Sequence, residues 1–155
     1  MQLSDLLAPG AVKLLPKVSS KKRLFCELAA IAAETYGLEQ DVAFPALQER
    51  EALGPTGVGD GVALPHARLA GLDRVHGVFA RLESAIDFEA MDRKPVDLVF
   101  ALFAPEGAGV AHLKALALVS RTLRDPSLCA KLRVNPDPAV LHTLLAEAQS
   151  SEAAA

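Results

Sequence analysis

The chain has 155 residues, 51% of them hydrophobic, and a formal net charge of −3, which fits one domain with a sizeable core and excludes a disordered chain. A pI near 5.8, with no basic run longer than Lys21-Lys22-Arg23, leaves no electrostatic footprint for nucleic acid. No apolar run approaches the roughly 18 residues of a membrane span, and the N-terminus carries no basic segment followed by an apolar one, so neither membrane insertion nor export is expected and the cytoplasm is the default compartment.

Ser4 is placed to cap a short helix through Leu6 and Leu7 that Pro9-Gly10 stops, and Val12 to Leu15 reads as a short strand before Pro16. From Ser20, an expected N-cap, Leu24, Leu28, Ile31 and Ala32 recur at helical spacing until Gly37. A second helix is expected from Asp41, as N-cap, to Leu53, with Pro45 in its first turn, where N–H groups lack intrahelical partners. Gly54-Pro55 stops it and leaves Arg50 in the last turn. Val62-Ala63-Leu64 reads as a buried strand ended by Pro65, so that His66 emerges at a strand end.

After a polar turn at Gly71-Leu72-Asp73, Val75 to Leu82 reads as a strand, and a loop follows through Ile86 to Pro95. Val96 to Ala104 is almost continuously apolar, the pattern of a central strand covered on both faces. The next helix, from about Ala111 to Leu123, is expected to bury a stripe of Leu113, Leu116 or Ala117, Ser120 and Leu123, with His112 on its first turn. Pro126 opens a short helix with Leu128 and Leu132; Asp137-Pro138 caps and starts a last one with Val140, Leu141, Leu144 and Leu145. The expected architecture is α/β: one domain over residues 1–148, a mixed β-sheet flanked by helices on both faces, and a frayed tail over 149–155. Cys26 and Cys129 lie far apart within helical patterns and are expected to be buried, reduced thiols.

Function is expected in the stretch from Gly54 to Arg68, where glycines at 54, 57, 59 and 61 lead into the apolar run before His66. A neutral imidazole is a competent nucleophile near neutral pH, one ring nitrogen attacking while the other is oriented. His112 on a first helical turn sits where free N–H groups hold an anion, Arg50 is a candidate bidentate phosphate ligand, Thr56 offers a hydroxyl, and Asp60 is a candidate to orient an imidazole. The loop matches neither the dinucleotide fingerprint nor the phosphate loop of nucleotide-binding proteins. His76 and His142 read as structural. Zinc on His66 and His112 is the weaker reading, because no HExxH or close histidine pair is present.

The run Val58-Gly59-Asp60-Gly61-Val62-Ala63-Leu64-Pro65-His66-Ala67 resembles the phosphorylation-site signature of enzyme IIA proteins of the mannitol/fructose type in the bacterial phosphotransferase system. Leu3 to Leu7, Arg50-Glu51, Phe88 to Asp92, Pro95 to Leu98, Ala111-His112-Leu113 and Leu116 to Val119 resemble its nitrogen-related regulatory branch. The resemblance implies that His66 accepts a phosphoryl group from an HPr-like histidine phosphocarrier protein, that His112 and Arg50 stabilise it, and that Thr56 and Asp60 belong to the phosphate-binding loop. Pro55 departs from it, standing where a serine is common, and Lys114 where a second histidine can occur. No metal and no cofactor is required, since phosphoryl transfer asks chiefly for positioning and charge stabilisation. Regulatory targets such as a sensor kinase or potassium transporter are implied. A sugar-specific role passing phosphate to a separate IIB component, and an unphosphorylated interaction module, are the competing readings.

Overall fold

The computed structural model describes the backbone of residues 1–154 and the side chains of residues 1–148; the expected frayed tail, 149–155, lies outside the residues described in full. The chain opens with α1 (Leu3–Leu6), a 3-10 turn at Pro9–Ala11 and β1 (Val12–Leu15). Ser4 is not the cap of α1. Gln2 holds that position, and the Asp5 carboxylate accepts from the Gln2 N–H at 2.8 Å. Ser20 does cap α2 (Lys21–Tyr36), its hydroxyl accepting from Arg23 N–H at 3.1 Å, and Gly37 closes the helix at φ 75°.

The next helix, α3 (Gln40–Ala52), begins earlier than expected, with Glu39 rather than Asp41 at the cap. The Glu39 carbonyl already accepts from Val42 and Ala43, which puts Pro45 at the sixth helical residue instead of the first turn. Pro45 and Asp41 both lie on the exposed side, where water can satisfy the Asp41 carbonyl that proline leaves unpaired. Val42 is likewise exposed, and α3 buries Ala43 and Leu47.

The middle of the chain supplies β2 (Gly57–Gly59), β3 (Val62–Ala63), β4 (His66–Leu69), β5 (His76–Ile86) and β6 (Val96–Pro105). The six-stranded mixed sheet runs β1-β5-β6-β3-β2, with β4 also paired to β6. β3 and β4 run parallel to β6 along one edge, at Leu98-Val99 and at Leu102 to Pro105 respectively. They form one strand interrupted at Leu64-Pro65. β6 is central and buried along nearly its whole length, as its composition predicts.

Three further helices, α4 (Gly109–Thr122), α5 (Pro126–Val134) and α6 (Pro138–Ala154), complete the fold. The pair α2 and α3 forms one helical group on the sheet; α1, α4, α5 and α6 pack together as the other. The stripe expected on α4 is displaced. Leu113 is 65% exposed, and the buried residues are His112, Ala115, Leu118, Val119 and Thr122. Cys129 is buried and Cys26 only partly so, both as free thiols. No described helix is long and apolar enough to cross a membrane.

β2 and β3 meet at Asp60-Gly61, both at positive φ (54° and 83°), the conformation of a two-residue hairpin turn. The Arg133 guanidinium from α5 clamps this turn, donating to the Asp60 carbonyl at 2.7 Å while binding both Asp97 carboxylate oxygens at 3.0 Å. A Cβ at Gly61 would lie 2.6 Å from Arg133 Nη2 and 3.0 Å from Asp97 Oδ1. Gly61→Ala is therefore expected to cost about 1–3 kcal/mol in chemical denaturation, whereas Gly107→Ala, with open space around it, should be close to neutral.

Candidate functional site

The interruption at Leu64-Pro65 decides how His66 is presented. Pro65 has no N–H, and the Leu64 carbonyl accepts from His66 Nδ1 at 2.8 Å. This bond assigns the ring proton to Nδ1 and leaves the Nε2 lone pair unprotonated. The ring is half-buried, and burial pushes its pKa below the ordinary histidine value, with the Leu64 bond opposing and Arg50 adding to that shift. His66 is therefore neutral at neutral pH, with an unprotonated Nε2.

His112, the fourth residue of α4, faces His66 with ring centroids 5.3 Å apart in an edge-to-face arrangement. It is only 4% exposed, and its Nδ1 accepts from Arg68 Nε at 3.3 Å, so Nε2 carries the proton. That Nε2–H is buried without a hydrogen-bond partner, the kind of orphaned donor whose cost a ligand can offset. Burial, then the charges of His66 and Arg68, push the His112 pKa down to about 4.

Arg50 stands in the last turn of α3, as its position before Gly54-Pro55 predicts, and its Nη1 donates to the Gly54 carbonyl at 3.2 Å. Arg50, His66, Arg68 and His112 line one cleft of about 450 Å³, rimmed by Leu53 and Leu113. A second hollow of about 420 Å³ shares Arg50 and His66 and is lined by Thr56, Val58, Ala117 and Ser120. The cleft thus combines a neutral imidazole, two guanidinium groups and an unpartnered N–H donor, a set suited to a group bearing several negative oxygens.

Of the residues singled out from sequence, His66, His112 and Arg50 come together, and Thr56 lines the adjoining hollow. The Thr56 hydroxyl, however, donates to Glu51 Oε1 at 2.5 Å. Asp60 does not line either hollow; its carboxylate is 90% exposed on the hairpin turn and pairs with Lys94 Nζ at 3.1 Å. His142 Nε2 donates to the Leu7 carbonyl at 3.0 Å, and the His76 ring lies 4.4 Å from that of Tyr36, in keeping with structural roles. No group of three or more His, Cys, Asp or Glu side chains able to hold a metal occurs among the described residues.

Arg68 was not anticipated as a site residue. The signal was available: residues two apart in a strand share a face, so Arg68 follows His66 to the same side once β4 is recognised beyond Pro65.

The model of the family described as phosphoenolpyruvate-dependent sugar phosphotransferase system, EIIA 2, matches residues 5–148. The chain belongs to this family. It is 51% identical over 146 residues to a nitrogen regulatory protein of Bradyrhizobium diazoefficiens, covering 94% of this chain and 95% of the relative. A nitrogen regulatory protein of Escherichia coli is 36% identical, with 97% and 93% covered. The crystal structure of the nitrogen regulatory protein IIA-Ntr from Neisseria meningitidis superposes with a TM-score of 0.85 at 34% identity, covering 92% of this chain and 98% of that one. The IIA mannitol crystal structure from Escherichia coli shares the fold, with a TM-score of 0.72 at 21% identity, over 86% and 95% of the two chains.

The lowered pKa of His112 sets a pH dependence. Between its folded value of about 4 and the ordinary value of about 6.5, the unfolded chain binds the proton that the folded chain refuses. Stability should therefore fall as pH drops from 6.5 towards 4, and His112→Asn should flatten that slope in denaturation curves at stepped pH. His66, also lowered, contributes in the same direction.

Proposed function

We propose that this protein is a phosphocarrier of the nitrogen-regulatory type that accepts a phosphoryl group on His66 Nε2 from an HPr-like histidine phosphocarrier. The observation that carries the reading is the Nδ1 to Leu64 carbonyl bond, which directs the Nε2 lone pair to the reaction and holds the ring as the tautomer that can attack. In the transfer, Nε2 forms a bond to phosphorus while the donor's P–N bond breaks and its electrons return to the donor imidazole. His66 keeps its Nδ1 proton, and the positive charge developing on the ring is stabilised by the Leu64 carbonyl. The phosphoryl oxygens take donors from Arg50 and from the otherwise unpartnered Nε2–H of His112, which Arg68 holds in that tautomer. Thr56 lines the approach, with its hydroxyl proton committed to Glu51.

Exposed apolar side chains surround the nucleophile and suit protein docking: Leu53 (82% exposed), Leu113 (65%) and Val58 (52%) rim the two hollows. Phosphorylation places about −1.5 to −2 charges amid this rim, which changes the partners it can bury. Regulation of nitrogen-related targets then follows from phosphorylation-dependent binding of that surface, a reading supported by similarity to nitrogen regulatory proteins over nearly the whole chain.

Incubation with phosphoenolpyruvate, enzyme I and the HPr-like carrier is expected to add one phosphate, acid-labile and base-stable, that is absent from His66→Ala. A wild-type protein that gains none overturns the reading. Arg50→Lys, which loses the bidentate fork, should slow the transfer about 10- to 100-fold, measured by quench flow. Leu113→Asp should raise the KM for the carrier and leave the fold intact, because that side chain is already exposed.

A further inference from the structure

Glu51 is a carboxylate with no place in the cleft, yet its side chain is only 7% exposed and carries three hydrogen-bonding partners. One oxygen accepts from Lys21 Nζ at 2.7 Å and from Thr56 N–H at 3.0 Å, and the other accepts from the Thr56 hydroxyl at 2.5 Å. The carboxylate therefore joins the first residue of α2, the last turn of α3 and the loop that leaves α3. Lys21 is itself held over the buried Phe88 ring, 4.6 Å from its centroid. The loop lies flush against the same segment: a Cβ on Gly57 would sit 2.7 Å from the Ala90 Cβ.

The bonds continue from that grip to the nucleophile. The Thr56 carbonyl accepts from Leu64 N–H at 3.0 Å, and the Leu64 carbonyl accepts from His66 Nδ1 at 2.8 Å. Lys21, Glu51, Thr56, Leu64 and His66 thus form one hydrogen-bonded series in which each bond fixes the orientation of the next peptide or ring. The other side of the strand is tied to β6, where Leu102 N–H donates to the Pro65 carbonyl. That tie acts on the Pro65–His66 peptide, whereas the Leu64 N–H and C=O, which belong to the two preceding peptides, are both bonded within the series.

We infer that Glu51 is a positioning residue for phosphoryl acceptance: by gripping both the N–H and the hydroxyl of Thr56, it sets the Leu64 carbonyl that orients the His66 ring. The inference rests on the phosphocarrier reading and deepens it. Replacement by leucine keeps much of the bulk of the side chain but removes both acceptor oxygens, so Lys21 and both Thr56 groups lose their partner, whereas glutamine could still accept from Lys21 and the Thr56 N–H and donate to the Thr56 hydroxyl. The segment from Thr56 to Leu64 is then held less tightly, and the imidazole can exchange between tautomers.

The test reads His66 in two ways. Long-range proton–nitrogen spectra of the unphosphorylated protein at about pH 8, where imidazole is neutral, report the tautomer, and the enzyme I and carrier assay reports the rate. The wild type is expected to hold its proton on Nδ1 alone. Glu51→Leu and Thr56→Val are expected to show both tautomers and to accept phosphate about tenfold more slowly with the KM for the carrier unchanged, and Thr56→Ser should keep both wild-type readings. A folded Glu51→Leu with the wild-type tautomer and rate overturns the inference. Should that variant fail to fold by circular dichroism, Thr56→Val and Lys21→Met carry the same comparison, with unchanged tautomer and rate overturning it. A wild-type chain that takes up no phosphate overturns the phosphocarrier reading itself, whereas normal wild-type uptake with indifferent variants overturns only the role of Glu51.

Discussion

A strand that would otherwise run unbroken beside β6 is interrupted at Leu64-Pro65, and the chemistry of the site depends on that interruption. Within a ladder, the Leu64 carbonyl would be committed to a neighbouring strand. Released from it, the carbonyl accepts from the histidine two residues on and selects one tautomer. The cost of the break is limited because β6 continues to pair on both sides of it, so the irregular backbone is held by a regular one. Reactive groups on irregular segments positioned by a rigid scaffold are a general solution, and here the scaffold is the central strand of the sheet.

Around this imidazole, the fold concentrates positive charge without concentrating protons. His112 and His66 are both pushed below the ordinary histidine pKa, and burial is the first cause for each. Cationic character is left to the guanidinium groups of Arg50 and Arg68. The division has a chemical consequence: the imidazoles keep lone pairs and directed N–H groups, while the guanidinium groups supply the positive charge. A charged His66 would have no lone pair to offer, and a charged His112 would repel its neighbour.

The helix α4 serves the site with both of its faces. Its buried side carries His112 into the cleft alongside Ala115, Leu118 and Val119, which seat the helix on the sheet. Its opposite side presents Leu113 at the rim. Reading apolar residues as buried put Leu113 inside and so predicted the wrong stripe. The same Leu113 that misleads a core prediction is informative as surface, because it leaves apolar area exposed at the mouth of the cleft.

Much of the molecule was legible in the sequence, and for local reasons. Ser20 and Gly37 bracket α2 because a hydroxyl and an absent Cβ satisfy the ends of a helix by themselves; Val96 to Ala104 announces a central strand because it can be soluble nowhere else. The loop before His66, with Arg50 at the end of the preceding helix, was equally readable, and the two histidines singled out there are the ones whose rings meet. Tertiary structure decided what depends on partners distant in sequence. It moved the start of α3 ahead of Asp41 and carried Pro45 into the helix, since the proline falls on a side where water can replace the lost bond. It turned α4 so that a histidine, rather than Leu113, faces inward, because the cleft supplies that imidazole with Arg68. It set Asp60 on an exposed turn clamped by Arg133, and it committed the Thr56 hydroxyl to Glu51. Sequence alone thus determined which groups the chain possesses and where its helices and strands are punctuated; only packing decided which of those groups meet, because hydrogen bonds and burial are satisfied in space and not along the chain.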